Sequence, residues 1–162
     1  MKLLIREFIP LDDSAIADLY QAAAPAQPHW EADRYWDSPS QFQRWIAKRG
    51  GQLVGLAEFA QQPDDARQFW VSLCVHPDEQ RRGIGAALYA HMLNALHPLD
   101  PALLRARVHA DQAAAIRFLS VRGFRVESRV GQADDHVHFV KLLKATGETR
   151  WNPHRPSTLT AR

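Results

Sequence analysis

The stretch that decides the fold is VSLCVHPDEQRRGIGAALYAHMLNAL, Val71 to Leu96. Its first residues are a short apolar run, stopped by Pro77, and read as the end of a strand over Phe69–Val75. From Gly83 the period changes. Ile84, Leu88, Met92 and Leu96 recur at i+4, the apolar stripe of a helix over Gly83–Leu96. Glycine weakens a helix, so Gly83 and Gly85 in its first turn need a purpose. First-turn amides have no intrahelical acceptor and carry the positive end of the helix dipole. Residues without a β-carbon let a bulky anion come close to those amides. Arg81 and Arg82 add planar donor forks suited to phosphate. The unit fits a pyrophosphate site, and it also fits a plain strand-to-helix connection with solvated arginines. Two familiar phosphate loops are excluded. The chain has no G-x-x-x-x-G-K-[ST], and no G-x-G-x-x-G opening a first βαβ unit.

Working outward, Lys2–Ile9 reads as a first strand, followed by a helix capped by Asp12 or Asp13 with Ile16, Leu19, Tyr20 and Ala23 on one face. Residues 25–40 are turn-rich, hold Trp30, Tyr35 and Trp36, and leave room for a short helix from Glu31. Phe42–Lys48 and Leu53–Phe59 read as strands joined at Gly50-Gly51. A polar loop over Gln61–Ala66 follows. Beyond the central helix come a strand over Leu103–His109 and a helix over Gln112–Arg122, capped by Asp111 and closed by Gly123. Phe124–Val130 and His136–Leu143 form a final pair. The order β-α-α-β-β-β-α-β-α-β-β predicts an α/β layer fold around one mixed sheet. The expected domain is residues 1–144. Residues 145–162, with Pro153, Pro156 and Trp151 as the only large apolar anchor, read as a flexible or docking tail.

The 162 residues, 46% of them hydrophobic, suffice for one core. Twenty basic against 18 acidic residues give a net charge of +2, which argues against a dedicated nucleic-acid binder. A single cysteine, Cys74, excludes an internal disulfide and a cysteine zinc cluster. No 18-residue apolar run spans a membrane, and the early charges of Lys2 and Arg6 do not suit a secretory signal. A cytoplasmic setting is expected.

Val75-His76-Pro77 followed by Gln80-Arg81-Arg82-Gly83-Ile84-Gly85-Ala86-Ala87-Leu88 resembles the acyl-CoA signature of the GCN5-related N-acetyltransferases (GNAT). Asp111–Phe124, DQAAAIRFLSVRGF, resembles that family's helix ending in Gly-Phe, and Gly55 matches the glycine of its central hairpin. The matches run in order over Phe42–Phe124. The flavour is similar to one half of bacterial proteins with two such domains in tandem, and a truncated relative fits the odd tail.

The resemblance implies acetyl-CoA as cosubstrate, bound where two parallel central strands splay apart. Its pantetheine arm would pair with the main chain of Leu73, Cys74 and Val75. Gln80, Arg81, Arg82, Gly83, Ile84, Gly85 and Ala86 would hold the pyrophosphate. Gln112, Ala115 and Leu119 would flank the coenzyme from the second helix. An amide near Cys74 or Val75 would polarise the thioester carbonyl. A small-molecule or protein amine would attack directly, with no acyl-enzyme. No nucleic-acid or membrane partner is implied, and a homodimer stays open. Two positions depart from the pattern. Gln112 stands where many members have asparagine. Leu119 stands where many have the tyrosine that protonates the leaving thiolate, and leucine has no proton to give. That leaves open a non-catalytic acyl-CoA-binding or interaction module.

Glu58 is the first candidate for a base or amine-orienting carboxylate, set against a solvent-facing strand residue. Ser72 and His109 lie on the strands flanking the cleft and read as structural. Cys74 reads as a small buried hydrophobe, since a reactive thiol needs a partner that lowers its pKa. His136 and His138 share a strand face with Asp134 nearby, but read as a surface pair rather than metal ligands. Trp30, Tyr35 and Trp36 fit either an acceptor pocket or loop packing.

Overall fold

The computed structural model describes residues 1–23, 42–127 and 136–143. In chain order these form β1 (Leu3–Glu7), α1 (Asp13–Ala23), β2 (Phe42–Arg49), β3 (Gln52–Gln62), β4 (Asp65–Val75), α2 (Ile84–Leu96), β5 (Leu103–His109), α3 (Ala113–Val121), β6 (Arg125–Val126) and β7 (His136–Leu142). The short helix expected near Glu31, the aromatics Trp30, Tyr35 and Trp36, Asp134, and the tail from residue 145 lie outside the described residues.

The strands make one mixed sheet in the order β1-β2-β3-β4-β5-β7-β6. Every described neighbour pair is antiparallel except β4 and β5. Parallel neighbours need a crossover, and α2 supplies it. At the other hairpin, Gly50 and Gly51 have φ of +58° and +84° between the paired Arg49 and Gln52. Two consecutive positive φ values suit a two-residue turn that matches strand twist.

Both sheet faces are covered. On one, the α2 stripe of Ile84, Leu88, Met92 and Leu96 is buried with Ala57, Phe59, Phe69, Leu104, Leu119 and Phe139. On the other, Ile16 and Leu19 of α1 pack on Ile46 and Leu56, with Tyr20 and Cys74 at the margin. Burying each large aliphatic side chain stabilises by about 1.5–3 kcal/mol. Gly55 sets how close α2 can come. A β-carbon there would lie 2.8 Å from Leu88 Cδ1, 3.1 Å from Ile84 Cγ2 and 3.3 Å from the Cys74 carbonyl oxygen.

Two local expectations give way. Residues 61–66 are not a polar loop: β3 and β4 pair out to Gln62↔Asp65, leaving only Pro63-Asp64 to turn. Ladder hydrogen bonds override the polar composition there, with a register shift at Gln61/Gln62 absorbing the mismatch. Asp111 does not cap α3. Gln112 occupies that place without a side-chain cap bond, and the Asp111 carboxylate bonds His109 instead.

Candidate active site

The parallel ladder of β4 and β5 is short. It holds Gln68↔Leu103, Phe69↔Leu104 and Trp70↔Arg105, and then stops. Yet β4 continues to Val75, still paired with β3 through Gly55, and β5 continues to His109, paired with β7 at His136. Each strand therefore keeps its outer neighbour and parts from the other. Among the described residues no strand pairs with the inner edge of Val71–Val75, so an extended ligand can add to that edge as a strand would.

The glycine turn lies just past the end of β4. Pro77–Glu79 form one tight helical turn, and the Gln80 side-chain amide donates to the Val75 carbonyl at 3.3 Å. Arg81 and Gly83 then take positive φ, 61° and 80°, which aims successive amides toward one side. Gly83 is the N-cap of α2 and has no side chain to cap it. The first return bond is Ala87 N–H to the Gly83 carbonyl at 3.0 Å. The amides of residues 81 to 86 donate to no acceptor among the described residues. A β-carbon on Gly83 would meet only open space. A β-carbon on Gly85 would come within 3.2 Å of Phe118 on α3 and 3.6 Å of Val75. Gly83 thus supplies the left-handed turn, and Gly85 keeps the narrow passage between α2, α3 and the end of β4 open.

The charges beside this turn differ. The Arg82 guanidinium reaches Glu79 at 3.3 Å, and Arg49 donates to the same carboxylate at 2.6 Å. Arg81 is exposed and makes no ion pair among the described residues.

Glu58 is fully buried, not solvent-facing. Its place in β3 puts it under α1, where the Tyr20 hydroxyl donates to one carboxylate oxygen at 3.0 Å and Arg44 Nε to the other at 2.8 Å. Burial, and then the Glu58 charge, push the Tyr20 hydroxyl far above its usual pKa. The same causes push the Cys74 thiol up to about 12, so it stays protonated and unreactive at neutral pH. Both Glu58 oxygens accept hydrogen bonds, so the carboxylate ties α1 to the sheet through Tyr20 and to β2 through Arg44.

Leu73 and Val75 are half-buried against the α2 core, and Cys74 lies at the margin of the α1 core. Gln112 opens α3, Ala115 is one turn on, and Leu119 is buried in the main core. Phe118, one residue away, is the side chain that abuts Gly85. It packs edge-on to Tyr89 at 6.1 Å under the Arg122 guanidinium at 3.5 Å. Its signal was present in the sequence, an aromatic beside the expected tyrosine position. His138 packs on Trp70 and His136 on His109, and no group of three metal-binding side chains occurs among the described residues.

A parted parallel strand pair, opened beside an uncapped glycine-rich helix start, defines an acyl-coenzyme transferase fold. The chain belongs to the Acetyltransferase (GNAT) family, whose model matches residues 13–124. Solved structures share the fold. The chain is similar to the ribosomal-protein-S18-alanine N-acetyltransferase from Escherichia coli, with 22% identity, TM-score 0.71, and 93% of this chain and 100% of that one covered. It is also similar to the PaiA N-acetyltransferase from Thermoplasma acidophilum in complex with coenzyme A (15% identity, TM-score 0.70, 88% and 100% covered). A third is YncA, described as a putative acetyltransferase, from Salmonella typhimurium with acetyl-CoA (19% identity, TM-score 0.67, 88% and 94% covered). No curated protein matches the sequence. No described helix is long and apolar enough to cross a membrane.

Proposed function

We propose that this protein is an acetyl-CoA-dependent N-acetyltransferase that moves the acetyl group to a primary amine by direct attack. The observation that carries the reading is the parting of β4 and β5 past Trp70↔Arg105, beside amides that no described acceptor satisfies. The pyrophosphate lies on the amides of residues 81 to 86, drawn by Arg81 and the α2 dipole. Gln80 keeps the turn seated against β4. The pantetheine arm runs along Leu73, Cys74 and Val75, and an amide of Cys74 or Val75 stabilises the developing oxyanion. Gln112, Ala115 and Phe118 form the α3 wall. Coenzyme thiolate is a fair leaving group, so Leu119 in place of a proton donor slows the reaction without preventing it.

Calorimetry with acetyl-CoA, followed by thiol release in the presence of an amine panel, tests this reading. Micromolar binding with amine-dependent thiol release is the expected result. Leu119 specifically favours a second reading, a coenzyme-binding module without turnover. Binding without thiol release for any amine would select it, and no binding at millimolar coenzyme would reject both.

A further inference from the structure

Beyond Trp70↔Arg105 the two central strands part. Counting equal steps along each, Cys74 of β4 and His109 of β5 stand level across the gap. Side chains alternate between faces. Leu104 and Ala106 are buried in the α2 and α3 core, so Arg105, Arg107 and His109 occupy the opposite face, on the same side as α1. Because α2 and α3 close the diphosphate side, an acceptor amine reaches the thioester from the α1 side, where His109 stands.

The imidazole of His109 is held in one orientation. Its Nδ1 lies 2.5 Å from Asp111 Oδ1. The Asp111 amide also points at Nδ1, but at 3.5 Å it is far weaker than the carboxylate contact; a carboxylate only accepts, so Nδ1 carries the hydrogen and Nε2 is the nitrogen left to accept a proton. The ring packs edge-on to His136, with centroids 5.3 Å apart. Arg107 Nη2–H donates to His136 Nδ1 at 3.0 Å. The His109 side chain is 24% exposed, and its Nε2 has no hydrogen-bond partner among the described residues. Among the described residues, Asp111 from the following turn and His136 from the sheet contact it, Arg107 shares its strand face, and strand register puts Ser72 and Cys74 on the same face of β4. Glu58 is committed to Arg44 and Tyr20.

We propose that His109 is the general base of acetyl transfer, with Asp111 holding it in the accepting tautomer. The inference rests on the acetyltransferase reading. As the amine nitrogen bonds the thioester carbonyl carbon, its N–H proton passes to His109 Nε2. The C–S bond then breaks with its electron pair on sulfur. The thiolate takes a proton from solvent, and the imidazolium returns one to solvent.

The test measures kcat/KM against pH with acetyl-CoA and three amines: an aliphatic diamine, a lysine-bearing peptide and a peptide with a free N-terminal alanine. Coenzyme Kd is measured alongside. His109→Gln should lose about 10²–10⁴-fold in kcat/KM and the acid limb of the profile, with coenzyme Kd unchanged. Added imidazole should restore part of the rate in His109→Ala, which a purely structural residue would not allow. If His109→Gln does not fold, the exposed Asp111→Asn carries the same test with a smaller loss. A His109→Gln enzyme within threefold of wild type, with the same pH profile, overturns the assignment. So does wild-type protein that binds coenzyme and acetylates none of the amines at any pH, though coenzyme binding then still stands. Protein that binds no coenzyme overturns the acetyltransferase reading itself, and this inference with it.

Discussion

Two buried carboxylates show what single residues contribute. Glu58 is fully buried, and among the described residues Arg44 and Tyr20 satisfy its carboxylate. Removing one member of a buried ion pair strands the other, at a cost of about 3–5 kcal/mol. Glu58→Gln should lower urea-unfolding stability by that order, and Tyr20→Phe by about 1.5–3 kcal/mol. Asp12 is the second case. Its carboxylate accepts from Arg6 at 2.8 Å and from the Ile9 amide at 3.1 Å, and pairs with Lys48 at 3.2 Å. The Arg6 hydrogen bond, most of all, holds its pKa well below the usual carboxylate range, against the opposing effect of burial. A depressed folded-state value means stability present above the unfolded pKa of about 3.9 and lost as pH falls below it. Asp12→Asn should therefore destabilise at pH 7, and the gap to wild type should shrink as pH drops toward 2 in thermal melts. Neither role was legible from the sequence. Strand alternation places Glu58 on a face, but only the docking of α1 buries that face. Asp12 reads equally well as a helix cap.

At the scale of elements, the hydrophobic period was the reliable guide. The i+4 stripe of α2 marked a buried helix, and Gly50-Gly51 marked a hairpin turn, because both signals come from short-range geometry. The β3–β4 hairpin ran longer than its polar residues suggested, since partner strands decide where a ladder ends. Gly55 couples α2 to the sheet in a way that composition does not reveal. Gly55→Ala should cost about 1–3 kcal/mol by overpacking against Leu88 and the Cys74 carbonyl. Leu88→Ala alone should cost about 2–5 kcal/mol by leaving a cavity. The double variant should be more stable than the sum of the two losses predicts, because the added methyl fills space that Leu88 vacates. Strictly additive losses in chemical denaturation would mean that this contact does not set the helix–sheet distance.

For the whole molecule, the proposed function rests on one topological fact. Two parallel strands share three residue pairs and then diverge, each held by its own outer neighbour. The glycine turn and the Gly-Phe helix were readable as motifs, so the family was accessible from the sequence. The wall formed by Phe118, the pinning role of Glu58 and the His109–Asp111 pair were not, because each depends on which elements meet across the gap. The most direct test of the cradle is to titrate coenzyme A into wild-type protein and Ala86→Glu by calorimetry, with melting temperatures of both. Ala86 is exposed at the third position of α2, where a glutamate complements the helix dipole. A new carboxylate there should leave the melting temperature unchanged or higher, yet weaken coenzyme binding by at least about tenfold, roughly 1.4 kcal/mol. Equal affinity in the two proteins would place the diphosphate elsewhere and contradict the assignment of the α2 amides.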